Sequence, residues 1–593
     1  MSHKDRSIER RKVMQVLGGA SAVALTGCLG DDDDEPDNLG EEVPTVVIEY
    51  WSPSSRASVV EDSLPTVESN LQDRLGLDVQ IEPVEVATQI TNTHDDRRTH
   101  DIGFWFHNPD SDRLDPQEMT RRYAGDWAGS NDLPNPINYA NCDHTRAAIQ
   151  QEFATTEDER RELVTEAHSI MSEDLGTIPI TRIIDFAVAR ADKVSLNRAG
   201  EMGISQLNPY VYIASDMADG EDLVSNVTSA TVETTNFAAL DAVFSLAVWN
   251  HLVHTPLVAY DENFELTNIL AEDYTVEDGG EVVTIEIKDA EFHNGDAITA
   301  EDVQFTFEQL SEHPGVYPKA DIPDFSSIDI INDRTVQFNF EQPSTPFLTA
   351  TLPGWGIFHK ESWIEAGAQE DPEGVQFDPV VGSGPFQVED IDPGQSLLLT
   401  PHDGHPDFSP DHRVIFEQYA DESAEIEAFL QGNLTFMHNI SPGANERIND
   451  EMESENLATT QYDGFIPYML YPQCSSAPSK FKEFREAIGM VINRAEINEI
   501  ALYGESEPIT VSCPILDNHP FYPGDENLNN MTDDLQGDEE GAREVLREAG
   551  WGWDEDGNLH YPTDADLDPL WPEGEMPDVE YGFECIENGE FVG

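Results

Sequence analysis

The sequence predicts an α/β fold. Strand-like and helix-like patterns alternate along 593 residues, residues 43–81 read as a β-α-β unit, and no short repeat of the kind that builds a solenoid is present. Thirty-one Lys+Arg stand against 118 Asp+Glu, a formal net charge of −87. That excludes a binder of the nucleic-acid backbone, which needs a basic footprint, and passive adhesion to an anionic leaflet. The length allows about two to four domains, and 38% hydrophobic residues with 9% aromatics can fill their cores. Self-repulsion at this charge is screened only at molar salt, where the Debye length is about 3 Å. The charge therefore reports the solvent: very high salt, as for a haloarchaeal protein.

The N-terminus reads as an address. In IERRKVMQVLGGASAVALTGC (8–28) a charged start precedes an apolar run from Val13 to Leu25. The run is too short to span a hydrocarbon core of about 30 Å as a stable helix and fits an export signal. Arg10-Arg11 resembles a twin-arginine signal, and Leu25-Thr26-Gly27-Cys28 resembles a lipobox in which the Cys28 thiol takes the lipid. Residues 29–42, with Asp31–Asp34 and Glu41-Glu42, form a solvated, self-repelling tether. Everything beyond is expected outside the cell. Cys142, Cys474, Cys513 and Cys585 show no zinc spacing. Disulfides are permitted there, and three pairings are open. Asn226, Asn433, Asn439 and Asn530 each open a glycosylation sequon.

The elements follow in order. VPTVVIEYW (43–51), rich in β-branched and aromatic residues, is a buried strand. Val60, Leu64, Val67, Leu71 and Leu75 recur at helical spacing, and Gly76 stops the helix. Leu77, Val79 and Ile81 alternate with polar residues as a second strand, parallel to the first. DIGFWF (101–106) is a strand running into the turn-rich HNPDSD. Helices are expected near 143–154 and 156–174, the second opened by a Thr156/Glu159 capping box. A strand at 178–189 precedes a mixed stretch, 190–220, and VSNVTSATVETTNF (224–237) begins new strands. VVTIEIKDAEFHNG (282–295) starts as a strand. Thr299 and Asp302 then cap a helix with Val303, Phe307 and Leu310 on one face, and IDIINDRTVQFNF (328–340) is hairpin-like. Val381–Pro385 is a tight turn into a strand pair at 386–400, and helices near 422–431, 480–504 and 538–549 complete the set.

AEFHNGDAITAEDVQFTFEQL (290–310) resembles the signature stretch of family 5 extracellular solute-binding proteins, the peptide, dipeptide, nickel and related receptors of ABC importers. LAEDYTVEDGGEVVTIEIKD (270–289), VGSGPFQV (381–388), EAFLQGNL (427–434), FREAIGMVINRAEI (484–497) and AREVLREAGW (542–551) are similar to further family stretches, so the likeness covers most of 223–551. The order is unusual. TVVIEYW, the helix to Leu75, DIGFWFHNPD, NPINYANCDHTRAAIQ and RRELVTEAHSIMSEDLGTIPI resemble the family's C-terminal pieces but occupy residues 45–180. The chain thus resembles a circular permutant whose old ends are fused near 190–222.

The resemblance implies a bilobal periplasmic-binding-protein-like fold of class II type with an additional smaller domain. Residues 43–185 and 441–593 would form one lobe, 186–250 and 381–440 the other, and 251–380 the additional domain. It implies a monomeric receptor on the outer face of the membrane and no enzyme or cofactor. A solute would be held in the cleft, and the closed form would dock on a permease with a cytoplasmic ATPase.

Trp105 matches a family tryptophan at the cleft, followed by His107. Three positions after Trp105, where the family's peptide binders carry an aspartate for the peptide ammonium, stands Asn108, with Asp110 two further on. Asparagine accepts a hydrogen bond but brings no charge. Either Asp110 takes the role or the solute lacks a free ammonium, as a sugar or capped compound does. From the opposite lobe Ser245, Val248 and Trp249 follow Leu240-Asp241-Ala242, which matches the family's LDP motif, and are expected near the cleft, although Trp249 also suits a core. His402, His405 and His412 read as a solvated loop rather than a metal site. Asp554-x-Asp556-x-Asn558 reads as a hairpin turn, because Leu559 stands where a calcium loop needs glycine. Two alternatives to a peptide receptor are a receptor for an oligosaccharide or other uncharged solute, and an extracellular hydrolase with two carboxylates about 5–10 Å apart.

Overall fold

The computed structural model describes residues 39–52, 57–107, 111–130, 135–203, 208–227, 229–239, 248–313, 316–317 and 322–593. The export signal, Cys28 and most of the acidic tether lie outside them. The principal strands are β1 (Val46–Trp51), β2 (Val79–Val84), β3 (Ile102–Trp105), β4 (Ile178–Arg190), β5 (Leu223–Val227), β6 (Ala271–Glu277), β7 (Val282–Ile287), β8 (Phe325–Asn332), β9 (Thr335–Phe340), β10 (Phe386–Asp392), β11 (Ser396–Pro401), β12 (Val414–Gln418), β13 (Phe436–Ile440) and β14 (Leu457–Pro472).

Ten of them form one mixed sheet in the order β10-β11-β12-β5-β13-β4-β14-β3-β1-β2. β1 and β2 are parallel, with Ile48 opposite Ile81, and β3 joins β1 in parallel on its other side. The Ala57–Leu75 helix is the crossover, and its row Val60, Leu64, Val67, Leu71 and Leu75 is buried against the sheet, as the helical spacing expects.

Two strands cross the whole molecule. β4 has 13 residues and β14 has 16, and they pair antiparallel along their length with a register shift between Asp463 and Pro467. At one end β4 pairs with β13; at the other β14 pairs with β3. Separate cores pack against this sheet, the first of them running on along it to Phe429 and Met437. Val46, Ile48, Leu71, Phe484 and Ile488 pack in one, and Tyr212, Leu223, Trp249, Phe386 and Phe416 in the other. A four-stranded sheet, β6-β7-β9-β8, packs with the Ala300–Glu312 helix in a third core around Phe307, Phe338 and Phe347.

Several expectations are corrected. The single helix at 480–504 is two, Lys482–Val491 and Arg494–Ala501. Asn493 opens the second by accepting from Glu496 N at 3.0 Å, and the fully buried Arg494 donates to the carbonyls of Pro179 and Gly489. The Thr156 capping box is half formed: Thr156 Oγ1 accepts from Glu159 N, but the Glu159 carboxylate accepts from Thr155 N. The Thr299/Asp302 box is complete.

The 401–412 loop is exposed over much of its length, as expected, but two of its histidines are buried anchors. His405 Nδ1 accepts from the backbone of Asp407 and Phe408 while its Nε2 meets Thr255 Oγ1 at 3.2 Å, and His412 Nε2 meets the Tyr212 carbonyl at 2.8 Å. The Asp554–Asn558 segment is a hairpin turn in which Asp554 Oδ1 accepts from the backbone of Asp556 and Asn558. Cys142 is bonded to Cys585, and Cys474 and Cys513 are free and buried. Asn226 is buried, its amide donating to Glu425 and the His438 carbonyl, so internal contacts occupy that sequon.

Candidate functional site

Strand alternation places Trp105. Along β3, Ile102 and Phe104 face the core beneath β1, while Trp105 faces the opposite side of the sheet. Its indole lies across Gly103, where a Cβ would come within 2.3 Å of the ring; only glycine admits it. Trp105 is fully buried. It stacks between Trp51 (centroids 5.8 Å, 13°) and Tyr471 (5.5 Å, 28°), with His100 edge-on at 5.2 Å. His107 meets Tyr471 edge-on at 5.9 Å. Leu114, Met119, Tyr123, Phe465 and Met469 complete this cluster.

The cluster is rich in donors. The indole N–H groups of Trp51 and Trp105 have no hydrogen-bond partner among the described residues. Burial, acting first, pushes the hydroxyls of Tyr123 and Tyr471 well above the usual range, so both stay protonated. His100 Nδ1 lies 3.1 Å from Glu49 Oε2. Burial pushes Glu49 up, but the His100 hydrogen bond and charge outweigh it and hold the carboxyl below its ordinary value. Arg122 pairs with Glu118 at the rim, 2.5 Å apart. Both faces of the Trp105 ring are covered, by Trp51 and by Tyr471, so the cluster is closed as it stands. Among the described residues no three His, Cys, Asp or Glu side chains come together in a metal-holding group.

Trp105 and His107 are thus brought together on Tyr471. Asn108, Asp110, Ser245 and Leu240-Asp241-Ala242 lie outside the described residues. Val248 and Trp249 are buried in the core of the other lobe, where Trp249 stacks on Phe237 at 5.8 Å and its Nε1 donates to the Thr231 carbonyl at 3.1 Å. Neither lines a cleft with Trp105, because apolar packing against Phe237 fixes them inward. Sequence reading missed Trp51 and Tyr471. Period two along β1 sets Trp51 on the face of Glu49, opposite Ile48; Tyr471 lies in β14, a strand without polar alternation at that end.

The two sides meet beside this cluster. Phe264 packs edge-on against Phe465 at 6.1 Å, and a cavity of about 280 Å³ opens at the seam, with Gln117, Glu152 and Phe153 on one wall and Phe340, Glu341 and Pro343 on the other.

A large mixed sheet crossed by two long strands, with separate cores packed against it, is an α/β bilobal fold of the periplasmic-binding-protein type. The chain belongs to the bacterial extracellular solute-binding proteins, family 5, whose middle-region model matches residues 265–576. It is 27% identical over 220 residues to the probable D,D-dipeptide-binding periplasmic protein DdpA of Escherichia coli strain K12, covering 37% of this chain and 42% of that protein. It is 23% identical over 343 residues to the oligopeptide-binding protein AppA of Bacillus subtilis strain 168, covering 56% and 60%. The chain spans about half the length of the curated relatives it matches. Among solved structures, Bacillus subtilis AppA in complex with a nonapeptide aligns at 21% identity and TM-score 0.43, over 59% of this chain and 67% of that one. NikA from Brucella suis in complex with Fe(III)-EDTA aligns at 17% and 0.46, over 59% and 68%. Among the described residues no helix is long and apolar enough to cross a membrane.

Proposed function

We propose that this chain is the solute receptor of an ABC importer for peptides or related solutes. In this reading it is exported through its twin-arginine signal and anchored through Cys28 to the outer face of the cell membrane. It works as a monomer at high salt and delivers its solute to a permease and its ATPase. The family match over 265–576 carries the reading, and the dipeptide- and oligopeptide-binding relatives support its solute class. Closure requires only that the solute contact both lobes at once; no covalent step is needed. Trp105 and His107 contribute to the ligand face once opening uncovers them, together with Asn108 and Asp110, which follow them in the sequence, and Ser245. A second reading, an uncharged solute such as an oligosaccharide, is favoured by Asn108 at a position where the resemblance expects aspartate.

The lobes in this reading are 43–185 with 441–593 and 186–250 with 381–440, with 251–380 as the additional domain and a circularly permuted order. The permutation is supported by the shared core of β1 and the Lys482–Val491 helix, elements more than 400 residues apart in the chain. Native mass spectrometry of protein purified from a high-salt host tests the function. Co-purified peptides support the first reading and sugars the second; a compound chemically altered on incubation refutes both.

A further inference from the structure

We infer that Thr349 is a closing latch, a hydroxyl that crosses the seam and seals a preformed ion pair on the opposite face. The inference rests on the receptor reading, in which the two sides separate and close. Arg160 and Asp115 are 2% and 1% exposed, and the Arg160 guanidinium donates to both carboxylate oxygens at 2.7 and 2.6 Å. Arg160 Nε donates to Gln151 Oε1 at 2.9 Å, and Asp115 Oδ1 also accepts from Gln117 N at 2.8 Å, capping the Pro116–Arg121 helix. All these partners lie on the Trp105 side of the molecule, so the pair is complete without the other side. One contact to the carboxylate crosses the seam: Thr349 Oγ1 donates to Asp115 Oδ2.

Thr349 stands on the Phe347–Thr351 turn, which Phe347 roots in the third core, and the Tyr260 hydroxyl donates to its carbonyl at 2.8 Å. Thr345, one turn earlier, donates to the Ala154 carbonyl at 2.6 Å. The cavity of about 280 Å³ beside these contacts shows that the seam is incompletely packed. Opening there lets water reach a charge pair whose burial is costly. Such a latch is strong enough to bias closure and weak enough to release.

The test is electron–electron distance measurement on spin labels at Glu162→Cys and Ile331→Cys, both exposed positions on opposite sides of the seam, in the full chain at high salt without added solute. Two distance populations are expected. Thr349→Val should shift their ratio toward the longer distance by about 10- to 150-fold, the range for losing one hydrogen bond to a charged group, and Thr349→Ser should restore it. If two populations are present and Thr349→Val leaves their ratio unchanged, the latch is overturned while lobe motion stands. A single population in every variant overturns the latch and removes the closure on which it rests.

Discussion

Mild acid should destabilise this protein well above the range in which its surface carboxylates titrate. His144, His168, His254 and His438 are each at most 3% exposed, and burial, acting first, lowers all four to about 3. Arg121 adds to the effect at His144, and His144 and His519 add to it at His168. In the unfolded chain the same rings titrate near 6.5. The folded value is depressed, so the stabilisation is fully present above about pH 6.5 and is lost as pH falls toward 3. At pH 5.5 each ring costs about 1.4 kcal/mol. The four together reach about 5–6 kcal/mol, comparable with the net stability of a whole domain.

Thermal unfolding followed by circular dichroism at constant high salt should show a midpoint lower by about 5 °C or more at pH 5.5 than at pH 7.5. His144→Phe, which keeps a ring in the pocket and cannot bind a proton, should remove about a quarter of that loss. A midpoint unchanged between the two pH values, or resonances of His144, His168, His254 and His438 titrating near 6.5 in the folded protein, would refute this expectation.

Four further outcomes are expected. Gly103→Ala should drive a methyl into the Trp105 indole, costing about 1–3 kcal/mol by overpacking and shifting tryptophan emission; an unchanged denaturation midpoint would show that the ring does not lie across Gly103. Cys142→Ser should lower stability by about 2–5 kcal/mol through loss of the bond to Cys585, measured by denaturant unfolding. In the same protein Cys474 and Cys513, pushed up by burial to about 11 and about 12, should resist alkylation until the chain unfolds. Transfer from molar to about 0.1 M salt lengthens the Debye length from about 3 to about 10 Å, so the midpoint should fall steeply; insensitivity to salt would contradict the high-salt reading.

The β-α-β unit at the front was legible because β2 alternates, the Ala57–Leu75 helix keeps one buried row, and β1 is rich in β-branched and aromatic residues. The Asp554 turn was legible because its side chain satisfies local backbone donors. β14 was not legible: it crosses between the two sides, nearly every residue from Gly464 to Pro472 is buried, and period two vanishes when both faces are covered. The break at Ile492–Asn493 was hidden because the apolar pattern continues through it, and the reason for it, the carbonyl partners of Arg494, lies 315 residues away at Pro179. Half of the aromatic cluster was visible as Trp105 and His107. The other half, Trp51 and Tyr471, became visible only when the order of β1, β3 and β14 was known. The histidine loop misled for the same reason: nothing local announces that Thr255 and the Tyr212 carbonyl will receive His405 and His412.

The central claim is that this molecule captures a solute and gives it back intact. The most direct measurement incubates the protein at high salt with isotope-labelled peptides of defined sequence, removes unbound material, unfolds the protein and identifies what is released by mass. Full-length, unmodified peptide in stoichiometric amount is the predicted result, with capture diminished by Trp105→Ala. Fragments, or labelled peptide absent from the released fraction at every concentration tried, would contradict it.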